Sequence, residues 1–378
     1  MKDQKLWNNN FQWICESNFW IYNALYALLI GLPLMLEQTS NLNRQTLFIA
    51  TLCFIVGIWL PGIFSAYLMD RFRRKTIYLI ALLGCALTTI LIPYHPEWLV
   101  LLRLIQGACF GLTLNLGNTL TVDISASPNR GAAINAYART GRIGAWIGVV
   151  AAWALFQFMG KEGIYYFALA CNVLAFCCIC RVSVTFRAEL KIDKISLDRF
   201  FLPHKWASSI IVLFLAITSG LLILNTFFIA KQYFPLSPSM QLAPWCTFIM
   251  GAVITFCIHH FFFKNKTTFY PILLGIALLI IGCTILCYDK DATSFILIFA
   301  LIGGGIELAA TELLCLFTKI GQHSQRGTAS YSFLLSWETG LILGSCIAFF
   351  QKESFEIALY TSLITAILYL LFAASRKT

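Results

Sequence analysis

Seven ionisable residues stand inside long apolar runs of the chain: Glu16, Arg103, Arg139, Arg142, Glu307, Glu312 and Glu338. A charge at mid-bilayer costs about 2.5–3.5 kcal/mol on insertion scales, so seven turned to lipid would cost on the order of 20 kcal/mol. That exceeds a typical folding stability, and most of them must face protein or water. A carboxyl in a poorly hydrated site favours its neutral form; it takes up a proton and releases it when water returns. Glu307 is the first candidate for that chemistry, with Glu16 and Glu338 behind it; the alternative for Glu307 is an acid that only ties helices together. Arg103 either orders a cavity, steering protons or holding an anionic group, or snorkels to the outer interface.

Helical spacing sorts which groups share a face. Gln12, Glu16 and Asn23 form a stripe on the first run, and Arg103, Gln106, Phe110, Asn118 and Thr121 one on the fourth. Thr218 and Asn225 share a face of the seventh, and Gly304, Glu307 and Thr311 a face of the tenth. Glu312 lies roughly 140° around the helix from Glu307, so the two acids cannot both point into one cavity; Glu312 is expected to face its own bundle or Lys319. Asn135, Arg139, Arg142, Trp146 and Trp153 fall on one face of the fifth run, and Glu338 holds the matching place on the eleventh. That face reads as a basic, aromatic wall for an anionic or flat substrate, or as a salt-bridged surface between two bundles.

Other chemistries find less support. Cys177-Cys178-x-Cys180 and Cys283-x-x-x-Cys287 read as small buried hydrophobes, because zinc needs four converging ligands and no His lies near either cluster. His259 and His260 are adjacent at the end of the eighth run, point about 100° apart, and read as interfacial rather than as a metal pair. No G-x-x-x-x-G-K-[ST] phosphate loop is present. No metal and no cofactor is expected.

The elements that must position these residues are membrane spans. The 378 residues are 59% hydrophobic and 12% charged, with a mean hydropathy of +0.77. Charged residues are about half the soluble average, too few to cover a water-exposed surface. A span needs about 20 residues, and twelve candidates fall near 11–35, 46–69, 76–94, 97–122, 133–158, 163–185, 206–230, 242–263, 268–288, 293–318, 327–350 and 354–374. A charged, irregular stretch divides six from six, which predicts domains at 1–185 and 206–378 joined by a cytoplasmic linker at 186–205. Met1 to Asn10 are polar with no small-residue cleavage site behind a short apolar core, so no removable signal peptide is expected. With both termini inside, about 19 Lys and Arg fall in cytoplasmic segments against about 5 outside. The net charge of +10 is then a topology signal, and no nucleic-acid partner is expected.

An internal repeat supports the division. Arg130-Gly131-Ala132-Ala133 opens the fifth span and Arg326-Gly327-Thr328-Ala329 the eleventh. In the same register Gly144 matches Gly340, Gly148 matches Gly344, Arg142 falls on Glu338, and Gly107 matches Gly303. Two bundles built from one repeated unit are a known transporter plan.

Between the second and third spans the chain reads Ala66-x-Leu68-x-Asp70-Arg71-x-Arg73-Arg74-Lys75. This resembles the G-x-L-x-D-R-x-G-R-[KR] signature of the major facilitator superfamily, with Ala66 and Arg73 where the family has glycine. Arg103-Leu104-Ile105-Gln106-Gly107 resembles the family's R-x-x-Q-G element. Arg326-Gly327-Thr328-Ala329 and Ser336-Trp337-Glu338-Thr339-Gly340 are similar to its bacterial efflux permeases. Gly141, Gly144 and Gly148 resemble the G-x-x-x-G-P-x-x-G-G antiporter element but lack its proline. The resemblance implies an all-α membrane protein of twelve helices in two pseudo-symmetric six-helix bundles, with the first, fourth, seventh and tenth spans lining a central cavity. It implies a substrate set of Asn23, Arg103, Gln106, Asn118, Thr218, Asn225, Thr311, Arg142 and Trp146. It implies a gate of Asp70, Arg74 and Asp123. The expected function is proton-coupled efflux of small amphipathic molecules by alternating access, as a monomer in a bacterial inner membrane, its partners being the substrate, protons and the bilayer. The alternatives are proton-linked import of a nutrient or metabolite, and a membrane-embedded enzyme acting on lipid.

Overall fold

The computed structural model describes residues 6–38, 43–183, 200–202, 206–235, 237–262, 269–289, 291–320, 325–351 and 355–375. Those residues form helices and short connections with no strand. The helices are α1 (Asn9–Gln38), α2 (Arg44–Trp59), α3 (Gly62–Arg71), α4 (Arg74–Tyr94), α5 (Leu99–Ile124) and α6 (Arg130–Arg181). They continue as α7 (Trp206–Tyr233), α8 (Pro238–Phe262), α9 (Phe269–Tyr288), α10 (Ala292–Ile320), α11 (Arg326–Phe350) and α12 (Phe355–Ser375). Among the described residues ten stretches are long and apolar enough to cross a membrane. One of them, Ser127–Arg181, has 55 residues, too many for one crossing, and it breaks at Gly160, whose φ is 67°. The 30 residues of α1 give about 45 Å at 1.5 Å per residue, longer than a hydrocarbon core about 30 Å thick. The protein is all-α and multi-pass.

Three local details depart from the sequence expectation or refine it. The span expected at 46–69 is two helices, because Pro61, which has no N–H to give, stands at the N-cap of α3. The connection expected between the fifth and sixth spans contracts to Gly160, the only described glycine with positive φ. At the turn after α3, Phe72 (φ −114°, ψ 162°) and Arg73 (φ −64°, ψ 115°) are both in ordinary extended backbone. No left-handed residue is needed there, so Arg73 replaces glycine without strain. The basic cluster also has packing tasks. Lys75 Nζ donates to the Cys180 and Val182 carbonyls, each at 2.7 Å, closing the C-terminal end of α6, where a cation is favoured. Arg181 stacks over Trp13 at 4.6 Å.

The chain separates into two compact units: Met1–Leu202 with Gly321–Leu335, and Pro203–Ile320 with Ser336–Thr378. Most of the stretch expected as a linker lies outside the described residues. In the first unit α2 packs on α5, α4 on α5 and α6, and α1 on α6. In the second, α8 packs on α10, α9 on α10 and α12, and α7 on α12.

The glycines show why the pattern recurs. A Cβ on Gly107 would run into the Phe54 carbonyl of α2, and one on Gly303 into the Phe248 carbonyl of α8. Gly144 and Gly148 lie against the backbone of Phe19 and Asn23 on α1; Gly340 and Gly344 lie likewise against Leu213 and Ile217 on α7. Small residues that let backbones approach are the usual basis of helix association in lipid. The pairs Gly107/Gly303, Gly144/Gly340 and Gly148/Gly344 therefore each make the same kind of contact in their own unit.

Candidate functional site

The first unit holds its polar groups in two places. Arg103 on α5 is 1% exposed. Its Nη1 donates to Gln106 Oε1 at 2.6 Å, and its guanidinium lies 4.1 Å from the centroid of the Phe54 ring on α2. Gln106 Nε2 donates to Thr89 Oγ1 on α4 at 3.2 Å, and Asn172 Nδ2, on the second limb of α6, donates to the same oxygen at 3.3 Å. A void of about 10 Å³ beside Gln106 and Asn172 leaves room for about one water. The snorkelling reading of Arg103 is therefore overturned: the cation is inside the helix packing, stacked on an aromatic face that partly replaces its water. Arg103 and Gln106 bind their own unit together, a role at odds with free substrate contacts on an open stripe.

The second place is the end of α5 and the start of α11, which pack within this unit. Asn118 Nδ2 donates to the Gly327 carbonyl at 2.9 Å, and Tyr331 Oη donates to the Gly111 carbonyl at 3.2 Å. The Leu202 N–H donates to Ser332 Oγ at 3.1 Å. Asn118, expected to face a substrate, instead holds the Arg326-Gly327-Thr328-Ala329 segment that the sequence singled out. Arg74 pairs with Asp123, both largely buried, and Arg74 Nε also donates to the Met69 carbonyl at 3.2 Å. The side chain of Asp70 lies outside the described residues.

On α1 the expected stripe divides. Asn23 is fully buried under Gly148 and donates back to the Phe19 carbonyl at 2.9 Å. Gln12 and Glu16 are exposed, and the Cys178 thiol lies 3.8 Å from Glu16 Oε2. The stripe is continuous in angle, but its burial is not. Gln12 and Glu16 stay open although α1 already meets the second limb of α6 at Trp13 and Glu16. Asn18 Nδ2, by contrast, donates to the Tyr137 carbonyl at 2.8 Å, and Asn23 is closed off by Gly148 of the first limb. Arg142 and Trp146 on α6 are buried. A cavity of about 380 Å³ opens in this unit among Leu32, Leu47, Pro93, Leu99, Lys161 and Tyr165. It is walled mostly by apolar groups, and none of the expected substrate residues lines it.

In the second unit Thr218 does not share the role expected of it. Its hydroxyl lies 2.9 Å from Thr361 Oγ1 and donates to the Phe214 carbonyl at 3.0 Å, so it faces α12. Asn225 on α7 and Glu338 on α11 are fully buried. Glu307 and Thr311 do meet: Thr311 Oγ1 donates to Glu307 Oε1 at 2.9 Å, and Glu307 is half-buried on α10. A hydroxyl one turn away fits both states of a carboxyl, donating to the ionised form and remaining an acceptor for the protonated one. Glu312 does face its own bundle, as its angle predicted. Its partner is not Lys319 but His259 on α8, whose Nε2 lies 2.6 Å from Glu312 Oε1.

The sequence reading missed Thr89, Asn172 and the His259–Glu312 pair. Asn172 stood alone in an apolar run, a signal that was available. The divergence of Glu312 from Glu307 already required a second polar surface inside the unit.

A sequence model described as Major Facilitator Superfamily matches residues 16–345. A Mycobacterium tuberculosis (strain ATCC 25618 / H37Rv) protein described as an uncharacterized MFS-type transporter, Rv1250, is 25% identical over 171 residues, 40% of this chain and 29% of that protein. The matched stretch is thus under a third of that relative's length. Among solved structures, the nucleoside transporter NupG superposes with a TM-score of 0.67 at 17% identity, covering 97% of this chain and 99% of that one. FucP, a transporter of the same superfamily, gives 0.67 at 13% identity, covering 95% and 97%. The human organic anion transporter MFSD10 gives 0.62 at 14% identity, covering 96% and 97%. At these identities the likeness shows the fold alone.

Proposed function

The chain belongs to the Major Facilitator Superfamily, and from that premise we propose that it is a proton-driven secondary transporter that exports small amphipathic molecules by alternating access. The observation that carries the reading is Glu307 with its Thr311 hydroxyl, an exchangeable acid half-buried in a long apolar helix. A group of that kind inside a membrane span is by default a functional one. One charge moved through 100 mV supplies about 2.3 kcal/mol, and a pH gradient adds to it. Glu16 and Glu338 are secondary proton carriers in this reading, and Arg142 with Trp146 offers a cation and a flat ring to the substrate. The Arg74–Asp123 pair, with Asp70, biases two conformations of nearly equal energy rather than locking either. The protein works as a monomer in a bacterial inner membrane with both termini cytoplasmic.

One observation favours the alternative, proton-linked import of a nutrient or metabolite. The first limb of α6 runs through Gly141, Gly144 and Gly148 without the proline of the antiporter element. Proteoliposomes under an imposed pH gradient, loaded in turn with a compound panel, separate the two by the direction of flux. Glu307→Gln should lower pH-driven flux at least tenfold, equivalent to about 1.4 kcal/mol on the barrier, while leaving substrate counterflow intact. Unchanged pH-driven flux removes Glu307 from the mechanism.

A further inference from the structure

The transport reading leaves one polar cluster unused. His259 lies near the end of α8 and Glu312 in the C-terminal third of α10, both in the second unit. The side chain of Glu312 is 7% exposed and that of His259 21%. Nε2 of His259 and Oε1 of Glu312 lie 2.6 Å apart, close enough for a proton to be shared along that line by either group. The titratable groups of the neighbouring helices are few. Tyr369 on α12 is buried, and its hydroxyl donates to the Phe269 carbonyl at 3.3 Å. Cys315 on α10 is half-buried, and Lys319, two turns past Glu312, is exposed. Tyr270 at the start of α9 is exposed, and the Lys231 and Tyr233 of α7 lie at that helix's far end. Glu307 lies roughly 140° around α10 from Glu312. The His260 side chain lies outside the described residues.

We propose that His259 and Glu312 form a second proton-binding site, internal to this unit and distinct from Glu307, which holds one proton between imidazole and carboxylate. With the proton bound, the pair is neutral overall. Without it, one negative charge is left on a carboxylate almost closed to water, and such a charge is costly inside a membrane protein. Loading therefore favours the packed contact of α8 on α10, and release favours an arrangement that admits water to Glu312. Because α10 also carries Glu307, proton occupancy here reaches the transport helix itself. The site stands whether or not Glu307 carries the coupled proton.

The test is histidine nitrogen NMR on the full-length chain in lipid nanodiscs, with the His259 signal identified among the five histidines by its loss in His259→Gln. Opposite charges this close shift a titration by about 1–3 pH units, so Glu312→Gln should move the His259 midpoint by at least about one unit. Glu312→Asp should keep part of the coupling, and Glu307→Gln should leave the midpoint in place. A midpoint moved by less than about 0.3 units in Glu312→Gln, or moved as far by Glu307→Gln, overturns the proposal. Should Glu312→Gln fail to fold, infrared difference spectra after a pH jump read the Glu312 carboxyl in the parent and in His259→Gln. An unchanged carboxyl titration there overturns it equally.

Discussion

Arg103 shows how a residue can be legible while its partners are not. Its type and the Arg103-x-x-Gln106-Gly107 spacing marked it as special, and the structure bonds Arg103 to Gln106 one turn on. The ring of Phe54 and the oxygen of Thr89 come from α2 and α4, and no spacing along one helix reveals what another helix brings. The same limit hid His259 from Glu312, 53 residues apart in the chain. The chemistry of the guanidinium makes a testable difference. Arg103→Lys keeps the charge but loses the flat stack on Phe54 and the fork-shaped donor set. A charged hydrogen bond is worth about 1.5–3 kcal/mol and a cation–π contact about 0.5–2, with partial replacement by the ammonium. The expected loss is about 2 kcal/mol, seen as a lower apparent melting temperature in detergent. An unchanged melting temperature would mean that the stack does not hold the cation. Asn118 and Thr218 teach the converse: both lay on correctly drawn stripes, and both are taken up by neighbouring helices instead.

At the scale of the helix, small residues carry the architecture. The repeat shows in a few glycines, and three of its pairs, Gly107/Gly303, Gly144/Gly340 and Gly148/Gly344, are points where one helix rests on the backbone of another, while Gly131 and Gly327 are not. Helix ends were less legible, since their position depends on single residues. Pro61 splits an expected span, while Gly160 alone carries the turn between two. The glycines divide into those that need to be glycine and those that do not. Gly107→Ala and Gly303→Ala would each press a methyl into a neighbouring carbonyl, an overpacking that costs about 1–3 kcal/mol or more. Gly131, in the first turn of α6, has nothing within 4 Å of where a Cβ would sit and an ordinary helical backbone. Gly131→Ala should therefore stabilise, by about 0.5–1 kcal/mol. Thermal melts of the three variants, prepared side by side, should put Gly107→Ala and Gly303→Ala below the parent and Gly131→Ala at or above it. Equal losses in all three would show that packing against carbonyls is not what these positions demand.

For the whole molecule, hydropathy was enough to place the chain in a membrane as helices, because a bilayer leaves few choices to a chain this apolar; the two-bundle plan came from the internal repeat and the family resemblance. What they could not reveal is that residues 321–335, though far along the chain, group with the first unit. That grouping arises from contacts such as Asn118 with Gly327, which composition does not encode. Orientation rests on about 19 basic residues against about 5, and it predicts a pattern across the membrane that an error of one crossing anywhere would break. Alkaline phosphatase is active only where its disulfides form, outside the cytoplasm. Fused after Arg73, after Gly160 or after the last residue, it should be inactive, active and inactive in turn, with a fluorescent protein at the same points giving the opposite readings. The Gly160 fusion is the most exacting of the three. If the 52 residues of α6 did not turn back there, the chain would cross once fewer and every later fusion would reverse. An active phosphatase at the C-terminus would thus count against the turn at Gly160 or against the basic-residue rule in this chain, and the Gly160 result would say which.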